Sequence, residues 1–478
     1  MKPPAAPAHA RQARSFGQQA VAFLVFVAGY FLLGMAGVQL QSAQTGVTPI
    51  WPASGFAFAM VYWFGSRQLI AILPAMLMLG WVLGVPPAVA AMSAAGSMLE
   101  AGVPAYLLHR FAVDPGLRHL RDALLFVVLV PVLGPVFSAT VGSMAFHVLG
   151  GSRFDLWHLW LLWWLGNSVG LLLVGGFGLV VVARRSLRVE RSARASLLVA
   201  CAAVTAITAL GLLQVTEISS PLVLYLLIPV FVFIAQRGDQ FPVLLLSVVA
   251  LAVTLLSAIW LPPESLAQTR LGVFYLDVSL LWIVTFTAMM ISSARQEVHA
   301  REQISWLASH DPLTRMLNRH AVMERLDDLL SRARSSAGPN VLMYLDLDRF
   351  KDINDTEGHV AGDQVLRDIG VLLGEEVRAA DTVARLGGDE FAVLLEDCSL
   401  LDACSIAENV RSAVERYEYA GARGRHRVEV SIGLLELSGE HASAEDAMHE
   451  VDSACYDAKR GGRNRVCVYS KAHRADGA

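Results

Sequence analysis

The sequence predicts two bodies of different class: a polytopic α-helical membrane domain of eight to ten spans, then an α+β domain of ferredoxin-like, palm type. Three observations predict this. Of the 478 residues, 55% are hydrophobic and 17% charged, against about 25% charged in ordinary soluble domains. The charge is also unevenly placed. Residues 1–300 hold 16 Lys+Arg and 10 Asp+Glu, about 9% of positions, whereas residues 301–478 hold 22 and 32, about 30%. Finally, long apolar runs in the first part give way to short strands and amphipathic helices in the second. A disordered chain, a collagen-like chain and an ordinary soluble enzyme are excluded. The expected divisions are 1–19 (N-terminal segment), 20–295 (membrane), 296–310 (linking helix), 311–470 (soluble domain) and 471–478 (tail).

Lys2, Arg11 and Arg14 precede an apolar run from Ala20 to Leu40. That run is longer than a signal-peptide core and more spans follow, so it reads as a retained first helix. A span needs about 20 mostly apolar residues. Ten stretches qualify or nearly so: 20–40, 49–65, 69–84, 87–109, 122–148, 158–183, 195–213, 221–236, 241–261 and 271–294. Several are short or interrupted by proline. With the N-terminus inside, fifteen Lys and Arg fall on inner segments and only Arg153 and Arg270 on outer loops. This positive-inside bias predicts an even number of spans, with both ends cytoplasmic. The five cysteines, Cys201, Cys398, Cys404, Cys455 and Cys467, form no C-x-x-C pair. They argue against a disulfide framework or a zinc site, and for small buried side chains in a reducing compartment.

Glu100, His147 and Asp277 are the main ionisable residues inside these stretches, with Asn167 as a polar companion. Such groups are costly in lipid and are functional candidates by default. His147 and Asp277 lie near span ends and read as interfacial. Glu100 is deeper, and both a ligand contact and a bond to a neighbouring helix are open. Prolines 74, 87, 104, 131, 135 and 229 can break helices and shape a pocket. A transporter shares these features, although no inverted repeat is visible. Two stretches are more distinctive: Trp51-Pro52-Ala53-Ser54-Gly55 entering a span, and Leu162-Trp163-Trp164-Leu165-Gly166-Asn167-Ser168-Val169-Gly170. They resemble the MASE family of bacterial membrane-associated sensor domains, first type, over residues 20–295. The resemblance implies a sensory role with an unknown ligand.

Residues 292–310 contain no Gly or Pro, so the last membrane helix is expected to continue beyond the membrane. Ala300, Ile304 and Leu307 share one face at four-then-three spacing, which suits a short parallel coiled coil in a dimer. A plain solvated helix is the alternative. Pro312 ends the helix by restricting Asp311.

In the soluble part, Val322, Leu326, Leu329 and Leu330 mark an amphipathic helix, and Val341 to Leu345 a strand buried on both faces. A second helix follows through Val365, Leu366, Ile369 and Leu373. Thr382–Leu386 and Phe391–Leu395 then flank a tight Gly387-Gly388-Asp389 turn. A third helix runs through Ile406, Val410 and Val414. Val428, Val430 and Ile432 alternate with polar residues, so that strand is expected to have one solvated face. The order β-α-β-β-α-β is the ferredoxin-like frame used by polymerase palms and nucleotide cyclases.

The chemistry concentrates at strand ends. Asp346 and Asp348 close the buried strand, and Asp389 and Glu390 sit at the hairpin. In this frame the two places are neighbours, so their carboxylates converge and repel unless a cation is present. Hard oxygen ligands beside a phosphate site suit Mg²⁺. Solvated loop carboxylates are the plain alternative. An EF-hand fails because Lys351 stands where glycine is required, and no Walker A sequence occurs. Lys459 and Arg463, four apart, are candidate phosphate ligands.

Leu386-Gly387-Gly388-Asp389-Glu390-Phe391 resembles the signature of the GGDEF family of diguanylate cyclases. In order with it stand Asp311-Pro312-Leu313-Thr314, Leu317-Asn318-Arg319, Asp346-Leu347-Asp348-Arg349-Phe350-Lys351, Asn354-Asp355, Gly358-His359, Gly362-Asp363 and the Lys459–Asn464 segment. The resemblance covers about residues 309–470. It implies that Asp346, the Leu347 carbonyl, Glu390 and Asp389 hold Mg²⁺ or Mn²⁺. Asp389, Glu390 and Lys351 would be catalytic, Asp389 as a further ligand or as the base for the 3′-hydroxyl. Asn354, Asp363, Phe350, Gly387, Gly388, Lys459 and Arg463 would bind GTP, with Asn354 and Asp363 on the guanine edge. Arg378-Ala379-Ala380-Asp381 resembles the family's inhibitory site for cyclic di-GMP; its plain alternative is a helix-end Arg and a loop Asp. The implied protein is a homodimeric, membrane-bound diguanylate cyclase whose partners are GTP, cyclic di-GMP, the lipid bilayer and an unknown sensory ligand, and not nucleic acid. A non-catalytic receptor for GTP or cyclic di-GMP, and a transporter with a regulatory nucleotide domain, are the alternatives.

Overall fold

The computed structural model describes residues 16–40, 48–149, 155–184, 191–213, 225–237, 240–260, 271–333, 338–438 and 441–470. Lys2, Arg11, Arg14, Arg153, Arg185, Arg188 and Arg270 lie outside the described residues, as do the side chains of Arg191, Arg194 and Asp277. The chain divides into two units, Met1–His299 and Ala300–Ala478.

Every one of the ten apolar stretches carries helix in the first unit. The helices are α1 (Phe16–Val38), α2 (Pro52–Phe64), α3 (Ile72–Leu83), α4 (Pro87–Arg110), α5 (Leu120–Val127), α6 (Gly134–Val148), α7 (Leu156–Gly170) and α8 (Gly176–Ala183). They continue with α9 (Arg191–Leu213), α10 (Leu227–Ala235), α11 (Gln240–Trp260) and α12 (Leu271–Ser309). Among the described residues, five stretches are long and apolar enough to cross a bilayer: Ala20–Val38, Ser66–Leu83, Leu120–Val148, Leu156–Ala183 and Val278–Ser309. Two shorter apolar helices, Ala195–Thr208 and Gln240–Leu256, lie beside these among the described residues, so the count leaves the expected eight to ten spans open. Two other stretches fall short for physical reasons. Pro52 opens α2, and Gly65 closes it after 13 residues with φ at +95°. α4 has 24 residues but is rich in Ala, Gly and Ser, a composition that suits packing against α2, α3 and α6.

The prolines bend the helical register more than they break it. Pro131 lies in a π-helical segment, Val128–Leu133, that joins α5 to α6. A second such segment, Leu171–Gly175, joins α7 to α8. π-Bulges relieve a misfit in the hydrogen-bond ladder without ending the helix. Pro104 sits inside α4, which continues through it.

The two distinctive stretches of this unit close on each other, backbone to backbone. Trp51 N–H donates to the Gly166 carbonyl at 3.0 Å. A Cβ on Gly170 would stand 2.0 Å from the Trp51 carbonyl oxygen, and one on Gly55 would stand 2.1 Å from that of Gly170. Beside this contact Glu100 is buried at 1% exposure. Its two carboxylate oxygens accept from Ser138 Oγ on α6 and Ser54 Oγ on α2, each at 2.8 Å. Asn167 Nδ2 donates to Ser138 Oγ at 2.8 Å. Glu100 thus bonds to two neighbouring helices, one of the two readings open for it. His147 is exposed in the last turn of α6.

The second unit contains β1 (Leu317–Asn318), α13 (Arg319–Ala333), β2 (Asn340–Asp348), α14 (Phe350–Glu357), α15 (His359–Glu376), β3 (Thr382–Gly387), β4 (Glu390–Leu395) and α16 (Leu400–Arg416). It ends with β5 (Glu418–Ala420), β6 (Arg425–Arg427), β7 (Glu429–Leu437), α17 (Ala444–Arg460) and β8 (Val466–Val468). The sheet order is β1-β3-β4-β2-β7-β8, with β5–β6 a separate ribbon. β2 lies between antiparallel β4 and β7, and all nine of its residues are buried. Alternation along it feeds two cores. Val341, Met343, Leu345 and Leu347 pack with α14, α15 and α16; Leu342 and Tyr344 pack with α13 and α17.

β7 corrects one expectation. It is buried on both faces over Val430–Leu435, not solvated on one. α17 covers the second face so closely that a Cβ on Gly433 would stand 2.4 Å from the Val451 carbonyl oxygen. Ser431, whose polarity suggested solvent, is fully buried and donates its hydroxyl to Asp348 at 2.9 Å.

Helix α12 runs unbroken through the linking segment to Ser309. On it Ile304 and Leu307 are exposed at 68% and 54%. Trp306 is stacked on His310, with ring centroids 5.0 Å apart.

Candidate active site

The register of the central strands puts two carboxylates side by side. Asp346 on β2 is directly opposite Glu390 on β4. Both lie on the face that carries Tyr344 and Ala392, toward α17. The Asp389 carbonyl accepts from Leu347 N–H at 3.2 Å, which locks the hairpin to the end of β2. Lys459, from the last turn of α17, places its ammonium 2.5 Å from Asp346 Oδ2. Burial, together with the neighbouring Asp389 and Glu390 charges, pushes the Asp346 carboxyl up, against the pull of Lys459. Burial depresses the Lys459 ammonium, but Asp346 outweighs it and holds the group above its usual range. The site is therefore short of positive charge, as converging carboxylates require.

Asp348 has a different task. Its carboxylate accepts from Ser431 Oγ at 2.9 and 3.0 Å and from Asn464 N–H at 3.0 Å. Arg463 Nε stands 3.8 Å from it. Asp348 thus braces the Lys459–Asn464 turn, in which Gly462, Arg463 and Asn464 all adopt positive φ. Lys459 and Arg463, expected on phosphates, here rest on carboxylates.

At the hairpin, Gly387 and Gly388 are exposed with φ at +147° and +54°. Glycine supplies that backbone without steric cost and leaves room for a ligand to approach. Arg385 fixes the turn from behind. Its guanidinium donates to the Gly388 carbonyl at 2.7 and 3.1 Å and to both Asp311 oxygens at 3.0 and 3.1 Å. Asp311 also accepts from Thr314 N–H and Oγ1 at 2.9 and 2.8 Å. Burial alone would raise the Asp311 carboxyl, but the Thr314 bonds and the Arg385 charge hold it below the usual range. Its stabilisation is thus present above the unfolded value of about 4 and lost as pH falls through the folded value. Arg385→Ala is expected to cost about 2–4 kcal/mol at pH 7, because it strands the largely buried Asp311 carboxylate. Urea unfolding at pH 7 and near pH 3 checks this: the gap to wild type should narrow in acid.

Asn354 on α14 and Asp363 on α15 come together through Gly358, the shared cap with φ at +91°. The Asn354 side-chain oxygen occupies the space a Cβ on Gly362 would need, with a contact there of 2.0 Å. Both residues are half-buried, while Lys351 is exposed. Phe350 is 8% exposed, packs in the core and has its ring edge against Gly362, so its side chain supports the loop. Arg378 is exposed. Asp381 caps its own turn, accepting from Arg378 N–H at 2.9 Å and Glu396 N–H at 3.3 Å.

Among the described residues, no three His, Cys, Asp or Glu side chains are gathered closely enough to hold a metal. Asp346 and Glu390 are the pair the fold does bring together. Two carboxylates suit Mg²⁺, which usually takes one or two protein carboxylates and completes its shell with water and substrate phosphates. Sequence reasoning missed Arg385, Ser431 and Tyr344, which abuts Glu390. Tyr344 was detectable, since it lies two residues before Asp346 on the same strand face.

Residues 20–299 match the family model of MASE1, and residues 308–465 match the model described as "Diguanylate cyclase, GGDEF domain". The chain belongs to the MASE1 family and carries a GGDEF domain. Among relatives of this MASE1–GGDEF chain is the "Probable diguanylate cyclase DgcE" of Escherichia coli, 39% identical over 183 residues, which are 38% of this chain and 17% of that protein. "Response regulator PleD" of Caulobacter vibrioides is 41% identical over 162 residues, 34% of this chain and 36% of that protein. The chain therefore spans well under half the length of either. A solved structure of the coiled coil and GGDEF domain of DgcB from Caulobacter crescentus, in complex with c-di-GMP, is 31% identical. It covers 37% of this chain and 93% of its own, with a TM-score of 0.35. The MASE1 match and the five apolar helices make this a multi-pass membrane protein.

Proposed function

We propose that the chain is a membrane-bound diguanylate cyclase that condenses two GTP into cyclic di-GMP and two pyrophosphates. The observation that carries this reading is the Asp346–Glu390 pair in cross-strand register beside the Gly387-Gly388 turn. Mg²⁺ or Mn²⁺, held when bound by Asp346, Glu390 and the Leu347 carbonyl, would neutralise phosphate charge and make the 3′-hydroxyl more acidic. Asp389 takes the proton from that hydroxyl as it attacks the α-phosphate of the second GTP. The bond to pyrophosphate breaks as the new ester forms. Lys459 and Arg463 turn from their carboxylates to the phosphates, and Lys351 neutralises charge that develops in the transition state. Asn354 and Asp363 hold the guanine edge, where an Asp accepts from N1–H and N2–H₂, a donor pair adenine lacks.

One such domain holds one GTP, so two must face each other, and the enzyme works as a homodimer. The exposed Ile304 and Leu307 on α12 support a parallel seam. The arginine-rich inner loops support an inner-membrane location with the catalytic domain in the cytoplasm. Purified full-length protein in lipid, given GTP and Mg²⁺, should make cyclic di-GMP; no product under those conditions overturns the reading. The exposed Arg378 fits product inhibition at the Arg378–Asp381 turn. Arg378→Ala should weaken inhibition by added cyclic di-GMP about 10- to 100-fold, the worth of one or two charge-assisted hydrogen bonds. A dose–response curve unchanged from wild type removes that site.

A further inference from the structure

We infer that the membrane unit binds a small, uncharged ring compound with one hydrogen-bonding group, of the phenol type, in a cavity between α1, α3, α4, α6 and α7. The cavity is about 120 Å³. An apolar protein cavity of about 150 Å³ accommodates benzene, so this space fits one ring and not two. Its walls are flat and fixed. The Trp163 indole lies on Gly142, where a Cβ would stand 2.5 Å from the ring, and the Trp51 indole lies on Gly34 and Gly37. Phe146 and Met76 complete the apolar lining.

The polar groups give the chemistry. Ser93, Ser97 and Asn167 line the same cavity and are each less than 10% exposed. The buried Tyr30 hydroxyl lies beside Ser97 and Trp51, two residues of the cavity wall. Among the described residues, no charged side chain lines the cavity. The nearby carboxylate of Glu100 is already occupied at both oxygens by Ser54 and Ser138. An ionic ligand would thus enter a low-dielectric space without a counter-charge, whereas a neutral one loses little. Asn167 joins the cavity to Glu100 through Ser138 in two 2.8 Å hydrogen bonds. That arrangement lets an occupant be sensed at the α2–α4–α6 contact.

The test uses the full chain in nanodiscs of neutral phospholipid, with radiolabelled phenol in equilibrium dialysis against empty nanodiscs. One phenol per chain above the empty-disc value is expected. Benzoate, of similar size but anionic, should bind at least about tenfold more weakly. Ser93→Leu, which fills the cavity, should weaken phenol binding by at least about tenfold. Uptake equal to that of empty discs, benzoate binding as well as phenol, or undiminished binding by folded Ser93→Leu overturns the inference. Should that variant not fold, wild type decides alone. 2,6-Di-tert-butylphenol partitions into lipid but is too large for the cavity, so it should show no excess over empty discs; an excess equal to that of phenol overturns the site.

Discussion

Glu390→Gln is expected to abolish cyclic di-GMP synthesis, with a loss of about 1,000-fold or more and little change in stability. The side chain keeps its length and shape, and its register opposite Asp346 is set by backbone pairing that the substitution does not touch. The Lys459–Asp346 ion pair also survives, so no buried charge is newly stranded. What disappears is one of the two negative charges that attract a divalent cation. Loss of that electrostatic stabilisation is worth several kcal/mol in a metal-dependent transition state, and each 1.36 kcal/mol is about tenfold in rate. Initial rates of product formation, with the thermal midpoint as a folding control, check it. Activity within about tenfold of wild type in a normally folded variant would remove Glu390 from the metal site. Asp346→Asn is a poorer test, because it leaves the Lys459 ammonium half-buried without its counter-charge and so mixes stability with chemistry.

Much of the soluble domain was legible because its signals are local. The apolar run Val341–Leu345 had to be a strand covered on both faces, and the Gly387-Gly388 turn had to reverse the chain. Register then followed, and with it the Asp346–Glu390 pair. The burial of two side chains was not legible. Ser431 was read from residue type, polar meaning solvent, and a partner carboxylate buries it. Phe350, placed with the substrate by the family resemblance, has its ring packed against Gly362. Arg385 looked like an ordinary strand arginine. Its role depends on Asp311, 74 residues away, and no spacing rule reports that. In the membrane unit, every apolar stretch carries helix among the described residues, but where a helix stops, as α2 does at Gly65, or runs on through a π-segment, as at Pro131, depends on local backbone geometry. Glu100 was correctly picked out as unusual; only the packing shows that its partners are two serines on neighbouring helices.

Gly170→Val should prevent the membrane unit from folding, with a cost of roughly 3 kcal/mol or more. The added Cβ would stand 2.0 Å from the Trp51 carbonyl oxygen and 2.7 Å from its carbon. Both are backbone atoms, so no side-chain rotation relieves the clash. Moving the chain at Trp51 would break its N–H bond to Gly166 and open the opposing contact, in which Gly55 rests on Gly170 and Gly175. It would also shift Ser54, and with it one of the two hydroxyls that satisfy Glu100. A carboxyl group left without that partner at 1% exposure adds its own desolvation cost to the steric one. The valine side chain thus acts on close packing, a backbone hydrogen bond and a buried polar group together, and these effects do not add independently. By contrast, Gly374→Val should be tolerated far better, because its Cβ would meet nothing within 4 Å and valine forms helix somewhat better than glycine. Fluorescence-detected size exclusion in mild detergent, with a heating series on each variant, separates the two. A Gly170→Val protein that elutes and melts like wild type would show that the α2–α7 contact is looser than these distances require.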